Sequence, residues 1–242
     1  MMRCLLLAAL VLMPGLASAQ ETRPPDPAAL VPAAQRLTKT AVEGTVTIIV
    51  DKRLARKPKL PPQEPDYKKI YDDAGVIMDY PLDVKLSTAD PRYFVLRCDS
   101  GGSNDPQCVF STSQNPEDPG AKVAGTFFVI PGDGCVYSGG HNDNMFDARK
   151  IDCLKDGTLQ PVKQPFSYAG LRSKALKRLT LYADQKESGI VTTIAPGAFV
   201  EVVLQDGDFF LLRDGFGLTG WAKLDQGRQQ ATEIKGFYYA GD

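Results

Sequence analysis

This chain is poor in histidine and tryptophan, with one of each, and its longest early apolar run, Leu5 to Met13, is too short to span a hydrocarbon core. Each scarcity removes a class of reading. With His141 as the only imidazole, a zinc site from Cys135, His141 and Cys153 would depend on two thiolates, and no metal or cofactor site is expected. No later segment is long enough to be a transmembrane helix. Sustained helical periodicity is also missing, apart from a short turn within Pro27 to Thr38. Charge of one sign is not in excess: without the first nineteen residues, 27 basic residues face 29 acidic ones, which leaves no basic surplus for nucleic acid.

What is present begins with a secretory signal. Arg3 precedes the Leu5–Met13 run, and Ala17-Ser18-Ala19 supplies small residues for cleavage near Ala19, so the mature chain is expected to start at Gln20. Cys4 lies at the start of the hydrophobic region and not at the cleavage site, which argues against a lipid-anchored cysteine. The expected location is periplasmic or secreted. The remaining 220 or so residues can hold one large or two modest domains. Short β-branched and aromatic runs, separated by Gly, Pro, Asn and Asp, point to an all-β protein.

Residues 20–40 are rich in Pro and Ala and read as a linker. An N-terminal antiparallel β domain is expected over 41–172. Its first strand, Gly44 to Val50, places Val46, Ile48 and Val50 on one face and Thr45, Thr47 and Ile49 on the other. A basic loop with Pro58, Pro61, Pro62 and Pro65 follows, and cannot lie in a sheet interior. Strands are then expected at Arg92–Cys98, Cys108–Thr112, Thr126–Ile130, Cys135–Ser138 and Arg149–Leu154. The boundary with the last domain, 173–242, is placed near Ser173. The basic clusters Lys52–Lys59 and Arg172–Arg178 read as solvated loops.

Four cysteines remain after cleavage: Cys98, Cys108, Cys135 and Cys153. An even count in an oxidising compartment favours disulfides. Cys98 shares a strand face with Phe94 and Leu96, and Cys108 with Phe110; Cys135 alternates with Tyr137, and Cys153 with Ile151. The expected bridges are Cys98–Cys108 and Cys135–Cys153. The rival reading makes Cys135 a nucleophile activated by His141, with Asp143 or Asp147 orienting the ring. The segment Gly139–Asp147 is the densest polar cluster, and His141, Asn142, Asp143 and Asn144 form one candidate binding patch. Counted from Asp143 it lacks the Gly and Glu of an EF-hand, since Ala148 and Leu154 stand there.

The C-terminal stretch from Leu179 to Leu224 has a regular rhythm: apolar Leu179–Tyr182, a polar loop, Ile190–Ile194, the turn Pro196-Gly197, Phe199–Leu204, Asp206-Gly207, Asp208–Arg213 and Gly217-Leu218-Thr219-Gly220-Trp221. It resembles a bacterial SH3-like (SH3b) domain. The resemblance implies a small β-barrel that binds peptidoglycan, peptides or an attached domain, usually without catalysis. The chain departs from that family's frequent Asn-Val-Arg opening, having Thr180-Leu181-Tyr182, and carries Phe209 where Trp is common. Phe210 and Leu212 alternate with Phe209 and Leu211, so one pair fills the barrel while the other emerges opposite. Either a ligand groove with Tyr182, Phe209, Phe216 and Trp221 or the N-terminal domain must cover the emerging pair. The expectation is thus a non-catalytic envelope protein binding peptidoglycan or an envelope protein; the alternatives are a wall-turnover enzyme using Cys135 and His141, and an inhibitor or scaffold.

Overall fold

The structure is a computed structural model that describes residues 26–31, 33–41, 44–56, 82–99, 106–112, 119–140 and 148–239. The expected signal sequence 1–19, the Pro-rich segment 57–81 and the patch His141, Asn142, Asp143 and Asn144 lie outside the described residues. The protein is all-β, as its composition implies: among the described residues the only helical element is a 3-10 turn at Pro27–Leu30. No described helix is long and apolar enough to cross a membrane.

Strands are numbered along the chain. A first, six-stranded sheet runs in the order β1 (Ala34–Ala41), β2 (Gly44–Asp51), β8 (Phe127–Ile130), β9 (Cys135–Gly140), β10 (Ala148–Lys155), β11 (Thr158–Pro161). A second, five-stranded sheet runs β3 (Ala55–Arg56), β4 (Leu82–Val84), β5 (Phe94–Asp99), β6 (Gln107–Ser111), β7 (Ala121–Ala124). Two expectations need correction. Residues 34–40, read as the end of the linker, belong to β1, which pairs with β2 from Ala34↔Asp51 to Ala41↔Gly44. The domain is also not wholly antiparallel, because β2 and β8 pair in parallel, Thr47↔Phe127 to Val50↔Ile130. The whole second sheet is the crossover between them, and parallel neighbours always require a long connection.

The two sheets share one core. Val46, Ile48 and Val50 of β2 pack with Val84, Phe94, Leu96 and Phe110 of the second sheet, while Ile49 points the other way to Val31 and Val129. The face assignment made from alternation therefore holds. Both expected disulfides are present, Cys98–Cys108 and Cys135–Cys153, and each joins residues directly opposite across an antiparallel ladder. Such bonds persist in oxidising compartments.

A third sheet holds the C-terminal part in the order β12 (Ser167–Lys174), β15 (Phe199–Asp206), β16 (Phe209–Asp214), β17 (Thr219–Lys223), β13 (Leu179–Tyr182), β14 (Ile190–Ile194). Four of the five strands expected here begin within one residue of the expected position. Ser173 lies inside β12, so the sheet starts before the expected boundary. The expected barrel is not closed by its ladders, which leave β12 and β14 as the two ends. The sheet is nevertheless strongly coiled. Gln185, just after β13, donates from Nε2 to Asp206 at the end of β15 at 2.7 Å, and Thr192 Oγ1 of β14 lies 3.4 Å from Asp214 Oδ2 of β16. Each contact joins positions three strands apart in order, about 14 Å on a flat sheet, which no side chain bridges. The hollow is filled by Leu181, Val200, Val202, Phe210 and Leu212, with Ile234 and Phe237 of the C-terminal segment as its plug. Phe210 meets Phe237 edge to face, with ring centroids 5.0 Å apart.

On the convex side, Glu201 is 6% exposed and accepts from Arg172 Nε at 3.1 Å and from Arg213 Nη2. The two guanidiniums are partly exposed, so removing the carboxylate costs less than it would in a dry interior. Glu201→Gln is expected to destabilise by about 1–3 kcal/mol, read as a lower urea midpoint at unchanged slope. The native, unreduced protein should show no reactive thiol among the four bridged cysteines, and replacing the Cys98–Cys108 pair by Ala should cost about 2–4 kcal/mol. An unchanged urea midpoint in that double variant would contradict it.

Candidate functional site

Because side chains alternate along a strand, burying Phe210 and Leu212 sends Phe209 and Leu211 to the convex face of the third sheet. Registry then lays rows across that face. One row is Arg172↔Glu201↔Arg213, held by the ion pairs above. The next is apolar: Tyr168↔Leu204↔Leu211↔Trp221↔Tyr182. The third sets Asp206↔Phe209↔Lys223 side by side. Every member of the apolar row is half-buried.

Trp221 reaches Tyr182 because its neighbour is a glycine. A Cβ on Gly220 would stand 2.8 Å from the Tyr182 carbonyl oxygen and 2.9 Å from Leu181 Cβ, so β17 approaches β13 only without a side chain there. Phe166, 46% exposed, leans on Trp221 with ring centroids 6.4 Å apart at 49°. It precedes β12 in sequence but meets β17, three strands away in order, and so it partly covers the row. Phe209 is two residues from Leu211 on the same face and diagonal to Trp221, within aromatic reach.

Of the expected site residues, the fold brings Tyr182, Phe209 and Trp221 together and separates Phe216. That ring sits at the tip of the β16–β17 hairpin, 88% exposed. Asp214 Oδ1 accepts from the backbone N–H groups of Phe216, Gly217 and Leu218 at 2.9 to 3.0 Å and so fixes the tip. His141, Asn142, Asp143 and Asn144 lie outside the described residues. Cys135 shares its sulfur with Cys153, so the thiol that the nucleophile reading requires is consumed. Among the described residues no group of three or more metal-donor side chains is assembled. Phe166, Tyr168 and Leu204 were missed by sequence reasoning, since nothing local in Gln164-Pro165-Phe166 signals a partner on β17.

No family model matches the chain. Neither a curated protein nor a solved structure matches it either.

Polar groups border the rings. Asp184 organises the β13–β14 loop: its Oδ1 accepts from Lys186 and Ser188 backbone N–H groups at 2.9 and 3.1 Å, and its Oδ2 from the Ser188 hydroxyl at 2.6 Å. The Ser188 hydroxyl, chiefly, holds this carboxyl below the usual 3.8. A depressed folded pKa means that the ordering is complete above the ordinary value and is lost as pH falls through the lower one. Acidification below 3.8 should thus loosen the loop and its Gln185–Asp206 tie. Faster amide exchange at Lys186 and Ser188 in Asp184→Asn near neutral pH would show the same loosening; unchanged exchange would contradict it.

Proposed function

We propose that this protein is a non-catalytic binding protein of the bacterial envelope, exported to the periplasm or beyond. In this reading its C-terminal sheet is an SH3-like module that docks peptidoglycan on its convex face. One observation carries the reading: the cross-strand row Leu211, Trp221 and Tyr182, flanked by Phe209 and Phe166, stays half-exposed on a face whose opposite side is already a complete core. Apolar surface left after a core is full marks a contact surface.

The chemistry suits a glycan better than a purely apolar partner. Ring faces match the C–H faces of sugars, while the Gln185–Asp206 pair and Lys223 beside Phe209 offer donors and acceptors to hydroxyl and amide groups. The strand positions from Leu179 to Lys223 support the SH3-like assignment, and the two disulfides support an oxidising compartment.

Mature protein is expected to co-sediment with purified peptidoglycan. Trp221→Ala combined with Phe209→Ala should weaken that binding at least about tenfold, as loss of a central aromatic anchor does, while retaining the urea midpoint of a folded protein. Failure of wild type to sediment would sink the peptidoglycan reading and direct attention to an envelope protein as the occupant.

A further inference from the structure

The apolar row on the third sheet continues past Tyr182. Tyr182 of β13 pairs with Ile190 at the start of β14, so the ladders carry the row to the sixth strand: Tyr168↔Leu204↔Leu211↔Trp221↔Tyr182↔Ile190. Ile190 is 69% exposed and its neighbour Val191 37%. Resting on the peptidoglycan reading, we infer that Ile190 and Val191 extend the docking surface to the sheet's edge, and that its occupant is the uncharged sugar backbone of the glycan strand, laid across the β-strands, and not the stem peptide.

A break in register puts Ile190 there. Leu181 pairs with Thr192 but Tyr182 with Ile190, which leaves Val191 as an extra residue on β14. Thr192 shares the concave side with Leu181, its hydroxyl 3.4 Å from Asp214 Oδ2. Strict alternation would turn Ile190, two residues away, to that same side; the inserted Val191 sends it to the convex side beside Tyr182. Charge or proline commonly guards an end strand of this kind, and Ile190–Ile194 carries neither. Two large aliphatic side chains are instead left in the open at the end of an apolar row, which marks a contact surface.

Direction and charge select the occupant. Neighbouring strands lie about 4.8 Å apart, so the six positions span about 24 Å along the curve of the sheet, a length that suits a linear polymer. Backbone N–H and C=O groups within the sheet are consumed by its ladders, so a peptide crossing this face would find no main-chain partners; sheets take peptides along an open edge instead. Sugars need no such partners. Their C–H faces pack on rings and branched side chains, and their hydroxyls turn to the polar side chains that border the row. Those borders are balanced: Arg172 and Arg213 share Glu201, Lys223 lies 3.3 Å from Asp208, and Asp206 accepts from Gln185, so three cations face three carboxylates. A neutral border complements an uncharged strand, whereas the carboxylates of a stem peptide would have to displace a partner from each cation.

Co-sedimentation of the full mature chain with intact peptidoglycan, challenged by soluble competitors, tests this. Oligosaccharides of β-1,4-linked N-acetylglucosamine are expected to displace the protein, the hexasaccharide at least about tenfold more effectively than the disaccharide because it covers more of the row. Soluble stem peptide should not displace it. In calorimetric titration the hexasaccharide should bind saturably, and Ile190→Ser combined with Val191→Ser should weaken that binding about fivefold or more while keeping the urea midpoint of a folded protein. Displacement by stem peptide and not by oligosaccharide, or wild-type affinity in the folded double variant, would overturn the inference and leave the peptidoglycan reading standing. Failure of the wild-type protein to sediment would remove that reading and the inference with it.

Discussion

The seating of Phe210 in the hollow of the third sheet, edge-on to Phe237, is the contact on which that sheet's exposed face depends. Side chains alternate strictly, so once Phe210 and Leu212 face inward, the register sends Leu211 outward, and with it the opposing Leu204 and Trp221. A slip of one residue would put the aromatic row inside and expose the core. The plug thus fixes the outer surface without touching it. It also explains why the C-terminal segment after β17 is needed: Ile234 and Phe237 contribute fully to the inner cluster although they belong to no named strand.

Coiling follows from the same demand. A flat sheet of this width would leave Leu181 of β13 and Val200 of β15, three strands apart in order, too far apart to share one cluster, whereas strong right-handed twist brings end strands toward each other. Registry breaks to allow it between Val202 and Leu204 on β15, between Leu181 and Tyr182 where β13 pairs with β14, and between Tyr168 and Leu171 on β12. Gly220 is the tightest point of the bend, where backbone of β17 presses on β13. On the convex side the result is a curved surface whose rows differ in character, ionic at Arg172–Glu201–Arg213 and aromatic beside it.

How much of this was legible in the sequence depended on the range of the signal. Alternation is local, so Leu179–Tyr182 and Ile190–Ile194 could be read with their ends, as could the inward face of β2. Disulfide pairing was legible because Cys98 and Cys108 shared strand faces with the core residues Phe94, Leu96 and Phe110, and Cys135 and Cys153 alternated with Tyr137 and Ile151 on neighbouring strands. Partner choice is not local. Nothing in Gly44–Asp51 says that it will lie parallel to a strand some eighty residues on, and a Pro/Ala-rich neighbour hid the modest polar strand Ala34–Ala41. The meeting of Phe166 with Trp221 and of Phe127 with Arg149 arises from coiling and from a missing Cβ, respectively, and neither leaves a pattern in adjacent residues.

Gly139 shows how such a feature works energetically. Exposed cation–π contacts contribute about 0.5–1 kcal/mol each, so the ring contacts of Arg149 are too weak to hold the first and third sheets together by themselves. Their effect lies elsewhere. Ordering a long arginine side chain costs about 1.5–2 kcal/mol of rotamer freedom. Phe127, lying across Gly139, and Tyr168 of β12 offset part of that cost in the folded protein. Since Tyr168 is also the end of the apolar row, one side chain links the two sheets: Arg149 of β10 reaches from the first sheet to the end of the aromatic row on the third.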